Sequence, residues 1–246
     1  YRVVYGIDVF DPTFNIVSPG ADAHIFFPYD QTDHRPQGLR DVVVDLIYKK
    51  DLPATRGWLK DESKPILLAM SGLDYIKNVS GLLEWYAHSL SLQQAANLVI
   101  VGGQLNPDES NDDDEADQIR RIHALIDEHQ LDLSVRWIPM QTEKHIVGEL
   151  YRCVADTRGA FIQPAQFEAF GLTVIEAMSS GLPTFATCYG GPLETIVDGV
   201  SGFHINPNDG AAAAQKICDF LLRCEKTPAY WEDISRGGLE RIASRY

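Results

Sequence analysis

The chain has 246 residues, 45% of them apolar and 23% charged, a globular composition with length enough for one large domain or two modest ones. Its 35 acidic residues outnumber 21 Lys and Arg, giving a formal net charge of −14. That balance argues against nucleic-acid binding through phosphate neutralisation and against docking on an anionic membrane leaflet.

In chain order, Asn15–Gly20 reads as a strand and turn. The stretch from Tyr29 to Leu59 mixes charges, proline and weak periodicity, as the edge of another domain or a linker would. From about residue 64, short apolar runs alternate with helical periodicity. Pro65–Met70 is a strand, followed by a helix with Leu82, Leu83, Tyr86 and Leu90 on its apolar face and Asn78 or Ser80 as its cap. Asn97–Val101 is a second strand ending in Gly102-Gly103, and Ile119, Ile122, Ile126 and His129 share the face of the next helix. Between these two, the acidic stretch Asp108 to Asp117 is expected to be a solvated loop, since it lacks the oxygen-ligand spacing of a calcium loop.

Val135–Ile138 is a third strand, then come a helix from Glu143 to Val154 and a strand at Ala160–Ile162. A helix over Leu172–Ser179, a strand at Thr184–Thr187, a short strand at Gly202–Ile205 and helices near 209–224 and 229–245 complete the chain. Strands apolar on both faces, alternating with helices, imply an α/β fold: a Rossmann-like parallel sheet with helices on both faces. No apolar run approaches the roughly 18 to 20 residues of a membrane span. The start, Tyr1 to Gly6, lacks the basic and apolar blocks of a secretory signal. Cys153, Cys188, Cys218 and Cys224 form no CxxC pair and no metal-ligand spacing, which fits reduced thiols in a cytoplasmic protein.

A ligand of such a sheet binds beyond the carboxyl ends of the strands. With so few cations, a phosphate there must be held by backbone amides and one or two positive side chains. The sharpest candidate is Glu168-Ala169-Phe170-Gly171-Leu172-Thr173-Val174-Ile175-Glu176. Gly171 permits close backbone approach, and the amides of Gly171, Leu172 and Thr173 are donors at a helix start, a seat for phosphate. Glu176, about one turn into the helix, is placed to accept ribose hydroxyls, and Glu168 lies beside whatever the phosphate carries. Gly190-Gly191-Pro192 is a second strand-to-helix turn with bare amides and proline in the first helical turn. Lys77, in the loop after the first strand, is the cation placed to reach a phosphate, and Gln141 offers its backbone to a base edge. Gly102-Gly103 lacks the GxGxxG spacing of a dinucleotide site.

These segments resemble the sucrose synthases, retaining glycosyltransferases of the two-domain GT-B type. The resemblance runs through Gly6–Pro12, Asn15–Asp22, Gly81–Tyr86, Gly148–Arg152 and the whole run from Gly159 to Pro192, including the Glu-x7-Glu element of Glu168 and Glu176. It implies that residues 59–246 are the UDP-glucose-binding, C-terminal half. Residues 1–58 are then the end of the acceptor-side domain and the connection. The implied reaction is reversible and metal-free: UDP-glucose plus fructose gives sucrose plus UDP. By position, Glu176 takes the ribose, Gln141 the uracil, and Phe170, Gly171, Leu172 and Thr173 the β-phosphate and glucose. Lys77 and Glu168 take the catalytic roles, Lys77 neutralising the leaving diphosphate.

Two departures stand out. The family has an arginine where this chain has Gly72, and Val147 replaces a polar residue near the nucleotide. The fructose-facing domain and the family's C-terminal tail are not in this sequence, so the chain alone is expected to bind nucleotide and turn over poorly. The family implies a cytoplasmic homo-tetramer with no nucleic-acid partner and no integral membrane segment. A sucrose-phosphate synthase-like transferase and a non-catalytic nucleotide-sugar binding module are the alternatives.

Overall fold

The structure, a computed structural model, describes residues 23–36, 38–141 and 143–246. The strand and turn expected at Asn15–Gly20 lie outside the described residues. Six strands form one parallel sheet: β1 (Ile66–Met70), β2 (Asn97–Val101), β3 (Val135–Ile138), β4 (Ala160–Gln163), β5 (Thr184–Thr187) and β6 (Phe203–Ile205), in the order β3-β2-β1-β4-β5-β6. Runs such as Ile66-Leu67-Leu68-Ala69-Met70 are buried at every position because helices cover both faces. The strand order reverses between β1 and β4, so their carboxyl ends diverge and leave a crevice, the place where sheets of this type bind ligands.

Nine α-helices belong to the described residues: α1 (Leu39–Tyr48), α2 (Val79–His88), α3 (Leu90–Ala95), α4 (Asp113–His129), α5 (Lys144–Asp156), α6 (Leu172–Ser179), α7 (Pro192–Thr195), α8 (Gly210–Lys226) and α9 (Pro228–Arg245). The helix expected through Leu90 breaks one residue earlier. The Ser89 hydroxyl accepts a hydrogen bond from the Leu92 amide and starts α3, so Leu90 is 68% exposed rather than part of the apolar face. The acidic stretch is also more than a loop. Asp112 caps α4 by accepting from the amides of Asp114 and Glu115, and Asp113, Asp114 and Glu115 occupy the first turn, where the helix dipole favours negative charge.

The described residues before β1 pack on the sheet domain. Helix α1 buries Val43 and Ile47 and lies against α5. Arg56 pairs with Trp137 through two backbone hydrogen bonds, 2.9 and 2.8 Å, along the outer side of β3. The buried guanidinium of Arg136 in β3 donates to the carbonyls of Leu46, Lys49 and Gly57. These three bonds replace the hydration that a buried cation loses. Glu149, fully buried in α5, pairs with Arg152 at 2.7 Å and with Arg35 at 3.4 Å, and Arg152 also donates to the Ile25 carbonyl. Cys153, Cys218 and Cys224 are buried, and burial pushes the thiols of Cys153 and Cys224 up to about 12.

Candidate functional site

Two loops meet over the crevice. The first leaves β1 and is shaped by Asp74, whose carboxylate accepts from the Lys77 amide at 2.8 Å. The second runs from β4 to α6. They are joined by a hydrogen bond from the Gln166 amide to the Ile76 carbonyl, 2.7 Å, and by one from the Asn78 side chain to the Pro164 carbonyl, 2.9 Å. This cross-bracing places the Lys77 ammonium 2.9 Å from the Glu168 carboxylate.

Glu168 is surrounded by donors. One oxygen accepts from Lys77 and, at 3.0 Å, from the side-chain amide of Gln163; the other accepts from the backbone amides of Gly171 at 3.1 Å and Phe170 at 3.4 Å. Burial opposes its charge, but the Lys77 contact and the two amides outweigh burial and hold the carboxyl below the usual glutamate range. The Gly171 amide expected to face a phosphate is thus engaged by Glu168, while Leu172 and Thr173 open α6, where a helix leaves its first amides without backbone partners.

The Gly190-Gly191 turn acts as a buttress. Its amide at Gly191 is not bare: it donates to the Glu168 carbonyl at 2.8 Å, and the Glu168 amide donates to Tyr189. Gly190 has φ +103°, and a Cβ there would lie 2.0 Å from the Glu168 carbonyl oxygen, so only glycine lets the two loops touch. Proline does stand in the first turn of α7.

Three cavities follow the sheet edge. The first, about 350 Å³, is lined by Lys77, Glu168, Phe170, Gly171, Leu172 and Thr173 together with Gly72 and Gln163. The second, about 210 Å³, adjoins it through Met70, Ser71 and Thr173 and holds Gln141, Lys144, Val147 and Glu176. The third, about 520 Å³, lies on the far side of Gly72 and is walled by Glu109, Asp112 and Glu115. The structure therefore divides the expected residues between two joined spaces: Lys77, Glu168 and the start of α6 in one, Gln141 and Glu176 in the other. Glu176 accepts from the buried Tyr151 hydroxyl at 3.3 Å, and burial together with this carboxylate raises the phenol well above its ordinary range, keeping it a donor. At Gly72 the nearest atom to an added Cβ is an Asp74 carboxylate oxygen at 3.8 Å, so a longer side chain has room.

Sequence reasoning missed Gln163 and Asn78. The signal for Gln163 is a polar residue closing an apolar strand; Asn78 was read only as a helix cap, yet it ties the loops together. Among the described residues no group of three His, Cys, Asp or Glu is arranged to hold a metal ion, and no helix is long and apolar enough to cross a membrane.

Comparison with known proteins gives a consistent result. The family model described as glycosyl transferases group 1 matches residues 54–237, and that of the sucrose synthase first GT-B domain matches residues 1–48. The chain is 56% identical over 248 residues to a sucrose synthase of Nitrosomonas europaea, covering all of this chain and 31% of that protein. It spans about a third of the length of the curated relatives it matches. Among solved structures, a sucrose-phosphate synthase of Thermosynechococcus elongatus has a TM-score of 0.61 at 25% identity, covering 82% of this chain and 46% of that one. Anabaena HepE, solved in complex with UDP, has a TM-score of 0.61 at 19% identity over 75% of this chain and 45% of its own, a likeness of fold.

Proposed function

The chain belongs to the group 1 glycosyl transferases, and we propose that it is the donor-binding part of a sucrose synthase, moving glucose reversibly between UDP-glucose and fructose. Identity to sucrose synthases across the whole chain supports this reading over the sucrose-phosphate synthase alternative. Residues 59–246 bind the nucleotide sugar; residues 1–58 are the end of the acceptor-side domain and the connection, a division supported by the match of residues 1–48 to the first GT-B domain.

The observation that carries the proposal is the Lys77–Glu168 pair, held by the Phe170 and Gly171 amides just ahead of α6 and sharing a cavity with Leu172 and Thr173, with Glu176 one cavity away. In the forward direction the bond from glucose C1 to the β-phosphate oxygen breaks, and one from C1 to a fructose hydroxyl oxygen forms on the same face. The hydroxyl proton leaves with the departing diphosphate. Charge builds on that diphosphate, and Lys77 with the amides of Leu172 and Thr173 meets it there, where stabilisation lowers the barrier. Phe170 and Gly171 line the sugar seat while their amides hold Glu168, Glu168 stands beside the transferred glucose, Glu176 takes the ribose hydroxyls, and the Gln141 backbone reads the uracil edge. The cation is protein-borne, so the reaction is metal-independent and survives EDTA. The full-length protein is taken to be a cytoplasmic homo-tetramer.

Calorimetric titration with UDP, against ADP and GDP, tests this. Selective UDP binding that weakens about tenfold or more in Glu176→Ala supports it, that loss being the size expected for a hydrogen bond to a charged group. Absence of UDP binding overturns it. An acceptor assay with fructose against fructose 6-phosphate on the full-length protein separates the two synthases. Gly72 favours a second reading, a nucleotide-sugar binding module without turnover. Under that reading Gly72→Arg changes neither affinity nor activity.

A further inference from the structure

Glu168 and Lys77 neutralise each other in the structure, yet the proposed reaction needs Lys77 on a ligand's phosphate. When the ammonium leaves, Glu168, whose side chain is only 13% exposed, loses its cation. A carboxylate in that position stays in place only if other donors hold it. The backbone amides of Phe170 and Gly171 serve one oxygen. The other oxygen, the one Lys77 vacates, has one further partner: the Gln163 side-chain amide at 3.0 Å.

Gln163 is built for this. It ends β4, is 5% exposed, and its backbone stands in register with Ala186 of β5. Its side-chain carbonyl accepts from the Thr187 amide at 3.4 Å. That bond fixes the amide's orientation, since only the carbonyl end accepts, and turns the NH2 group toward Glu168. The sheet thereby supplies a neutral donor to the oxygen that Lys77 also binds.

We propose that Gln163 is a positioning residue that holds the Glu168 carboxylate when Lys77 changes partner, so that the cation is free to pass to the ligand's phosphate. This deepens the assignment of Glu168 and Lys77 under the proposed function and rests on it for its purpose. Its physical content, that Gln163 carries Glu168 without Lys77, stands separately.

The test follows the Glu168 side-chain carboxyl by carbon NMR titration in the parent chain, Lys77→Met, Gln163→Met and the double variant. Gln163→Met keeps the side-chain volume and removes the donor; folding of each variant is checked by circular dichroism. Lys77→Met imitates departure of the cation. The expected result is a titration midpoint that rises in Gln163→Met and rises further in the double variant than in Lys77→Met. Gln163→Glu, which sets a second carboxylate against Glu168, is the independent variant and also raises the midpoint. A midpoint equal in Lys77→Met and the double variant overturns the proposal.

A UDP titration on the same proteins separates the two readings. If the parent binds UDP, Gln163→Met weakens it about tenfold, the effect of one lost hydrogen bond to a charged group. If the parent fails to bind UDP, the nucleotide reading falls, and the carboxyl titration still decides the role of Gln163.

Discussion

Glu149 and Glu168 are two glutamates with cationic partners in one domain, and they make opposite use of them. Glu149 is wholly buried in α5 between Arg152 and Arg35, and the pair joins the segment around Ile25 to the sheet domain. Glu168 sits at the rim of a cavity, with a lysine as partner and backbone amides beneath. An arginine fork in a closed core gives a fixed clamp, while a lysine on a flexible stem at a cavity edge gives a contact that a phosphate can compete for. What separates a clamp from a site is therefore the open volume beside the pair and the donors held in reserve, more than the ion pair itself.

The largest effect that can break this contrast is on stability. Glu149→Ala leaves the buried Arg152 without its carboxylate, while Arg35 keeps Asp156 at 2.9 Å, and is expected to cost about 3–5 kcal/mol in urea unfolding. Glu168→Ala, at a partly solvated pair, is expected to cost no more than about 1 kcal/mol. Equal losses would show that both pairs are clamps.

Next in size, Gly72→Arg adds a cation to the cavity without backbone strain and is expected to tighten UDP binding about tenfold, read by calorimetry, with unfolding unchanged. An unchanged affinity would favour the nucleotide-sugar binding module without turnover.

The smallest effect is the response to acid. Glu168 has a carboxyl held below its unfolded value, so its stabilising share is full above about pH 4.3, the ordinary glutamate value. That share fades as pH falls through the lower folded value. Comparing the parent with Glu168→Gln, the parent is expected to lose the extra stability as pH falls below about 4.3, by about 1 kcal/mol or less because Lys77 is one-third exposed. Parallel pH profiles would assign no such role to the pair.

Most of the sheet was legible in the sequence because each strand is a short apolar run with no competing period. Asn97–Val101, Val135–Ile138 and Thr184–Thr187 begin and end where the pattern does. The helix break at Ser89 was missed because Leu90 keeps helical spacing while the cap is a local side-chain bond. The acidic stretch was misjudged because its charge was counted and its capping order was not. In the site, Glu168, Gly171 and Glu176 stood out by their helix-start pattern. Gln163 did not, and Gly190 stood out only as part of a turn with bare amides, not as the seat of the Glu168 loop: what defines both is a contact across strands and loops, 24 residues apart for Gln163 and Thr187, and no local period encodes it.

The two backbone bonds between Arg56 and Trp137 also bear on colloidal behaviour. An end strand of a parallel sheet ordinarily presents a row of unpaired amides and carbonyls to other molecules. Here the residues around Arg56 to Lys60 bond to Trp137, Asp132 and Leu133 and cover the β3 side, while β6 at the opposite end is only three residues long. With a net charge of −14 adding mutual repulsion, the molecule gives a neighbour little to template on. Concentrated solutions are expected to stay free of strand-to-strand assembly.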